Sequence, residues 1–244
     1  MPIIYLSPST QEFNPYNGGG NEEQYMNLIA DAMEPYLAAS GIRYVRNTPD
    51  MTAATSIAAS NQGNYDLHLA LHSNATGSGD GSVRGSEVYY YPTSEKGKRF
   101  ADIAAENLQI IYPLPAQVKT VPTTTLGEVR RVKAPGVLIE VAYHDNAEDA
   151  QWIRNNIEAI AANLVLSLTE YFGIPFNTPQ PIFTASITTK GSNLNVRYNP
   201  STEAAIVGSI PNGAEVVVYA VLPDWLLVGY NNVVGYVSAD YVQY

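Results

Sequence analysis

Three residues with chemically active side chains stand at or near the ends of predicted elements in the first part of the chain. His72, in the stretch ALHSNA, follows an apolar run that predicts a buried strand. Glu22 opens a stretch with the apolar spacing of an α-helix, and Glu140 lies inside the apolar run GVLIEVAY. A carboxylate within a buried strand is costly unless it is paired or bound to a metal, so Glu140 is the most informative of the three.

These side chains predict a metal-assisted site at one edge of a sheet. Ligands of open α/β sheets bind at the carboxyl ends of strands, where His72 and Glu140 meet if their strands are neighbours. The chain has no cysteine, so strong metal ligands are restricted to His, Asp and Glu. Structural alternatives remain: a hydrogen-bonded core His72, a helix N-terminal charge at Glu22, and an ion pair of Glu140 with Arg130 or Arg131.

The elements that must position these residues alternate between strand and helix over residues 1–176. This alternation predicts an α/β fold with a mostly parallel, twisted sheet flanked by helices. Predicted strands cover residues 3–6, 42–47, 67–72, 87–91 and 137–141, and predicted helices cover residues 22–39, 52–61, 96–111 and 148–172. Pro35 lies inside the first helix, and we expect it to end or kink that helix.

The character of the sequence changes after residue 176. Residues 177–183 contain several breakers and no periodicity, which predicts a linker. Residues 184–244 show short Val, Ile and Tyr runs separated by turn sequences, which predicts a small all-β barrel. We therefore expect two domains, 1–176 and 184–244.

Composition restricts the partners. The formal net charge is −10, which argues against nucleic acid as the main partner because phosphate binding needs a basic surface. No stretch approaches the roughly 20 apolar residues of a membrane span. The start, MPIIYLSPST, lacks the charged and apolar regions of a secretory signal, so we expect a chain that bypasses the general export pathway or has lost a leader.

Three segments resemble zinc-dependent N-acetylmuramoyl-L-alanine amidases, over roughly residues 3–175. LHLALHSNA is similar to the strand with their zinc-binding histidine, GVLIEVAYHDN to their catalytic glutamate strand, and NEEQYMNLIADAM to the helix with their zinc-binding glutamate. The resemblance implies Zn²⁺ as cofactor, Glu22 and His72 as ligands, and Glu140 as general base. It also implies cleavage of the amide between muramic acid and L-alanine in peptidoglycan.

One family motif is absent. The usual Asp-Pro-Gly-His, whose histidine binds zinc, is replaced by SPSTQEFN, with Thr10 at the place of the histidine. The third ligand is therefore open between Gln11, through its amide oxygen, and His144, while we expect His68 to be a core residue. The departure leaves two alternatives: a peptidoglycan-binding protein on a degenerate amidase scaffold, and a metal-dependent amidase or peptidase acting on another peptide.

The C-terminal segment resembles bacterial SH3-like domains through LNVRYNPS, IPNGAEV and GYVSADYV. Such modules usually target peptidoglycan, so the resemblance implies wall binding, with Trp225, Tyr198 and Tyr219 as an aromatic surface. Packing of a small barrel is the alternative interpretation of these aromatics. In the first domain we expect Asn74 and Arg130 to contact substrate. Together the two resemblances imply an endolysin or autolysin that acts outside the cell or at the cell wall, released by lysis.

Overall fold

A computed structural model describes residues 2–179, 183–197, 200–222, 224–231 and 233–244 of the chain. The chain divides into two compact units, Met1–Asn177 and Thr178–Tyr244. Residues 180–182 of the predicted linker lie outside the described residues. Within the described ranges, every helix is too short or too polar to cross a membrane.

The first unit is the predicted α/β domain. Its sheet has the strand order β2-β1-β3-β6-β4-β5. The pairs β2-β1, β1-β3 and β3-β6 are parallel, whereas β4 pairs antiparallel with β6. The strands are β1 Ile3–Pro8, β2 Arg43–Arg46, β3 Leu67–Asn74, β4 Ser86–Tyr90, β5 Val118–Pro122 and β6 Gly136–Tyr143; the helices are α1 Glu22–Ala39, α2 Ala53–Ser60, α3 Glu95–Ile111, α4 Gly127–Arg130, α5 Ala147–Asn155 and α6 Ile157–Phe172.

Strand register brings three polar side chains into one row. His72 on β3 pairs with Glu140 on β6, and Glu140 pairs with Glu87 on β4. Paired residues on neighbouring strands project from the same face of a sheet, so the three side chains share one face. The alternate residues of the same strands, such as Leu71 and Ile139, are fully buried in the main hydrophobic core on the other face.

Local signals explain where several elements begin and end. Helix α1 begins at Glu22 because the side chain of Asn21 caps it by accepting a hydrogen bond from the Gln24 amide. It continues through Pro35 to Ala39, so an end of the helix at this proline is excluded, while a kink there stays a prediction. The predicted helix 148–172 is two helices, α5 and α6, separated at Asn156, whose φ of −128° lies outside the helical range.

The second unit is an antiparallel β structure, which confirms the predicted fold class. Its sheet has the order β13-β7-β10-β11-β12-β8-β9, and Val196, Val218, Val228 and Val237 lie in its buried core. The strands are β7 Phe183–Ile187, β8 Leu194–Arg197, β9 Ile206–Ile210, β10 Glu215–Val221, β11 Trp225–Tyr230, β12 Val233–Ser238 and β13 Val242–Gln243. A short 3₁₀ helix, Ala239–Tyr241, precedes the last strand.

Candidate active site

Glu22 and His72 meet at the carboxyl end of the sheet. Glu22 is the first residue of α1, and His72 is the sixth residue of β3. Glu22 Oε1 lies 2.8 Å from His72 Nδ1, and both residues are buried. Burial acts to raise the pKa of Glu22, but the hydrogen bond and charge of His72 hold it below its ordinary value. Burial acts to lower the pKa of His72, yet its hydrogen bonds to Glu128 and Glu22 raise it well above the ordinary value.

Glu128, on the short helix α4, lies within hydrogen-bond distance of the other ring nitrogen of His72. Its Oε2 lies 3.0 Å from His72 Nε2, and its Oε1 accepts a hydrogen bond from Ser7 Oγ and lies 3.4 Å from His68 Nε2. Against the effect of burial, the hydrogen bonds from His68 and His72 lower the pKa of Glu128 to about 2. Sequence analysis missed this residue, because a four-residue helix has no apolar periodicity to detect.

Gln11, in the segment after β1, completes a triangle with the Glu22–His72 pair. Its Nε2 lies 3.2 Å from His72 Nδ1 and 3.5 Å from Glu22 Oε1. Asn14 Nδ2 donates to the second oxygen of Glu22 at 2.6 Å, which fixes that carboxylate. The structure therefore brings Gln11, immediately after Thr10, together with Glu22 and His72.

The other two histidines are engaged elsewhere. His144 Nδ1 lies 2.7 Å from the carbonyl oxygen of Ser73, and its ring stacks on Tyr16. His68 is fully buried, stacks on Tyr5 and places Nδ1 2.9 Å from Ser60 Oγ. In the described part of the chain neither histidine has a hydrogen bond to Glu22 or His72, and both have the contacts of structural residues.

Glu140 stands beside this cluster with an unsatisfied carboxylate oxygen. The residue is partly exposed, yet its Oε2 is buried and has no hydrogen-bond partner among the described residues. Burial raises the pKa of Glu140 to about 7; His72 opposes this shift, and the carboxylates of Glu22, Glu87 and Glu128 add to it. The main charges acting on Glu140 include no arginine, so the expected alternative of an ion pair with Arg130 or Arg131 lacks support.

The predicted substrate-contacting residues lie in three different places. Asn74 ends β3 and donates from Nδ2 to Glu87 Oε2 at 3.2 Å, next to the polar row. Arg130 is exposed and lines a cavity with Pro135 and Gly136, at the amino end of β6. Trp225 is partly buried in the second unit and lines a separate cavity of about 580 Å³. Tyr198 lies outside the described residues.

The triangle of Glu22, His72 and Gln11 is held by direct hydrogen-bond contacts and is slightly smaller than the ligand set of a tetrahedral zinc ion, so its Glu22–His72 edge would open on binding a cation. Its edges measure 2.8, 3.2 and 3.5 Å. Ligands about 2.1 Å from a tetrahedral zinc ion are separated by about 3.4 Å. A half-turn of the Gln11 amide would turn its oxygen toward the pair, at the loss of the hydrogen bond that this oxygen accepts from Asn14 Nδ2 at 3.3 Å. The described residues contain no cluster of three or more His, Cys, Asp or Glu suited to a metal, so a three-residue metal site here would include a group of another kind, such as the Gln11 amide.

Comparison with known proteins gives two family matches and one curated relative. The family described as N-acetylmuramoyl-L-alanine amidase matches residues 10–170, and the bacterial SH3 domain matches residues 192–243. N-acetylmuramoyl-L-alanine amidase LytC of Bacillus subtilis (strain 168) is 34% identical over 152 residues, which cover 57% of this chain and 29% of LytC. The chain thus spans less than a third of the length of this relative.

Solved structures share the fold of the first unit. The N-acetylmuramoyl-L-alanine amidase from Clostridium difficile 630 has a TM-score of 0.63 at 15% identity, over 70% of this chain and 97% of that chain. The catalytic domain of the CD27L endolysin targeting Clostridia difficile has a TM-score of 0.57 at 23% identity, over 70% and 97% of the two chains. Because the family match spans well over half of its residues, the chain belongs to the N-acetylmuramoyl-L-alanine amidase family and carries a bacterial SH3 domain behind the amidase domain.

Proposed function

We propose that this chain is a zinc-dependent amidase that hydrolyses the bond between muramic acid and L-alanine in peptidoglycan. The observation that carries the proposal is the juxtaposition of the Glu22–His72 pair with the unsatisfied Oε2 of Glu140. A buried carboxylate oxygen without a protein partner is free to accept a hydrogen bond from a bound molecule. The attacking water of a hydrolysis is such a molecule.

Glu22, His72 and Gln11 would hold the cation. Zinc bound there supplies Lewis acidity, which polarises a carbonyl and acidifies water. With a cation bound and His72 neutral, Glu128 would accept the Nε2 hydrogen of His72 and leave the Nδ1 lone pair for the cation. This outer carboxylate is typical of metal-binding histidines, which supports a ligand role for His72.

Glu140 acts as the general base and then as the general acid. A pKa near 7 allows the same carboxylate to take a proton from water and return it to the leaving amine at neutral pH. Asn74 holds Glu87, whose negative charge opposite Glu140 helps to maintain that pKa.

The second domain directs the enzyme to its polymer. We assign catalysis to residues 1–176 and peptidoglycan binding to residues 184–244, joined by the linker 177–183. Trp225 lines a cavity together with Arg197 and Tyr241, a mixture of aromatic and charged groups that suits a muropeptide. Action outside the cell or at the cell wall follows from this substrate.

One observation favours a second candidate function. The amide of Gln11 is a weaker zinc ligand than the family's histidine, so a chain that binds the wall without cutting it is the competing proposal.

Release of L-alanine amino termini from purified peptidoglycan in the presence of zinc tests both functions. The amidase proposal expects release by the full chain and almost none by Glu140→Gln. Co-sedimentation of the wild-type chain with walls that release no amino termini would instead support the binding protein.

A further inference from the structure

A chain of buried hydrogen bonds runs from strand β1 to the back of His72. Ser7, in β1, is 1% exposed, and its Oγ donates to Glu128 Oε1. The second oxygen of Glu128, Oε2, lies 3.0 Å from His72 Nε2. Ser7 and Glu128 are 121 positions apart in the sequence, so only the completed fold brings this hydroxyl to the carboxylate.

The hydroxyl of Ser7 has every one of its hydrogen-bond positions filled. Asn47 Nδ2 donates to Ser7 Oγ at 3.3 Å, and Ser56 Oγ, in α2, lies 2.7 Å away. A serine hydroxyl has one proton to donate and two lone pairs that accept. Because the Glu128 carboxylate takes the single proton of Ser7, Ser56 has to be the donor in its own bond to Ser7. The O–H bond of Ser7 is therefore fixed in one direction, toward Glu128.

Helix α4, which carries Glu128, needs contacts from outside itself to orient that side chain. It has four residues, and the residue before it, Leu126, makes no side-chain cap hydrogen bond. Helices this short are unstable without tertiary contacts. Ser7 donates directly to Oε1 of Glu128, whereas His68 Nε2 lies 3.4 Å from the same oxygen. Ser7 is therefore the hydroxyl that fixes one oxygen of the carboxylate while the other faces His72.

We propose that Ser7 is a positioning residue for the cation site and acts through Glu128 on His72. The inference rests on the proposed zinc-dependent function and extends it to a buried residue behind the site. Ser7 holds Oε1 of Glu128, so Oε2 stays aligned with Nε2 of His72. The Nδ1 edge of the ring then faces Glu22. Removing the partner that orients a metal-binding histidine weakens metal binding about 10–100-fold, and Ser7 acts one step behind such a partner.

The test measures the zinc Kd of the full chain by chelator competition for wild type, Ser7→Ala and Ser56→Ala. Ser56→Ala is the matched control, because this serine is also buried and its loss breaks the same Ser7–Ser56 bond but leaves the bond from Ser7 to Glu128. We expect Ser7→Ala to weaken zinc binding about tenfold and Ser56→Ala to keep Kd within about twofold of wild type. In a Glu128→Gln background, Ser7→Ala should add little further loss, because the carboxylate that it orients is absent. Urea denaturation of the zinc-free variants checks that both serine variants fold.

The outcomes separate this inference from the proposed function. A Kd of Ser7→Ala within about twofold of wild type, or an equal loss in Ser56→Ala, overturns the positioning role and leaves the zinc site intact. Absence of zinc binding by wild type refutes the zinc-dependent function, and NMR of the zinc-free chain then decides. A His72 Nε2 proton that is protected from exchange in wild type and Ser56→Ala, but not in Ser7→Ala, supports the inference. Every other pattern of protection overturns it.

Discussion

The first unit contains two buried charge clusters, and they are built in opposite ways. In the cluster around Arg46, the guanidinium binds Asp31 at 2.5 Å, Glu34 at 3.0 Å and the side-chain oxygen of Asn27 at 2.6 Å. In the cluster around His72, one imidazole faces Glu22 and Glu128, with Glu140 alongside. The first cluster satisfies its carboxylates with a permanent cation, whereas the second keeps an excess of negative charge.

The comparison teaches that a shifted pKa alone does not mark the site. Burial raises the pKa of Glu34 to about 7, Arg46 opposes the shift and Asp31 adds to it; Glu140 also reaches about 7. Glu34 is 2% exposed and has Arg46 as its partner. Glu140 is partly exposed, and its buried Oε2 has no partner in the described residues. The missing partner, beside the proposed ligands Glu22 and His72, is what separates Glu140 from Glu34.

The largest expected effect is the loss of catalytic activity when Glu140 is replaced. Glu140→Gln keeps the shape of the side chain but removes the base, so we expect kcat on peptidoglycan to fall about 10²–10⁴-fold. Urea denaturation should show no loss of stability, because a buried negative charge is removed. The matched control is Glu34→Gln, expected to retain activity per folded molecule. Equal loss of activity in the two variants would contradict the assignment of roles.

The next largest effect is a loss of stability when the cluster around Arg46 loses its cation. Arg46→Met leaves Asp31 and Glu34 buried without their cation, so we expect the free energy of unfolding to fall by about 3–5 kcal/mol. Urea denaturation measures this change, and zinc content per folded chain should stay at the wild-type value. A stability change below about 1 kcal/mol would mean that this cluster is not structural.

The two clusters also differ in how far they are readable from sequence. His72 and Glu22 stand at the ends of periodic segments, so their elements and their meeting point could be predicted. Glu128 could not, because it lies on the four-residue α4 and contacts a histidine 56 positions away. Arg46 could not either, because nothing in a short β2 strand indicates that an arginine will be buried. A long apolar periodicity predicts helices and strands from the sequence alone. Ion pairs between residues far apart in the sequence form only in the completed fold, so the sequence does not predict them.

Zinc binding sharpens the comparison at the Glu22–His72 pair. Zinc at 100 times its Kd should stabilise the wild-type chain by about 2.7 kcal/mol, since only the folded state assembles the triangle. Thermal unfolding with and without zinc measures this gain, which His72→Ala should abolish.

Gln11→His should tighten zinc binding about tenfold or more, measured by chelator competition, because imidazole is a stronger ligand than an amide. An unchanged Kd in Gln11→His would exclude residue 11 from the site.

The most gradual effect is a contribution of the Arg46 cluster to the pH dependence of stability. The pKa of Glu34 is raised from 4.5 to about 7 in the folded chain, so between these values the folded state binds a proton that the unfolded state has lost. Glu34 therefore contributes a fall in stability as pH rises through this window, with a slope of up to about 1.4 kcal/mol per pH unit from this group alone. Glu34→Gln should flatten that slope, measured by urea denaturation of zinc-free protein between pH 4.5 and 7. A difference in stability between wild type and Glu34→Gln that instead rises with pH across the window would show that Arg46 outweighs burial and holds Glu34 ionised, which would make the two clusters electrostatically more different than their pKa values indicate.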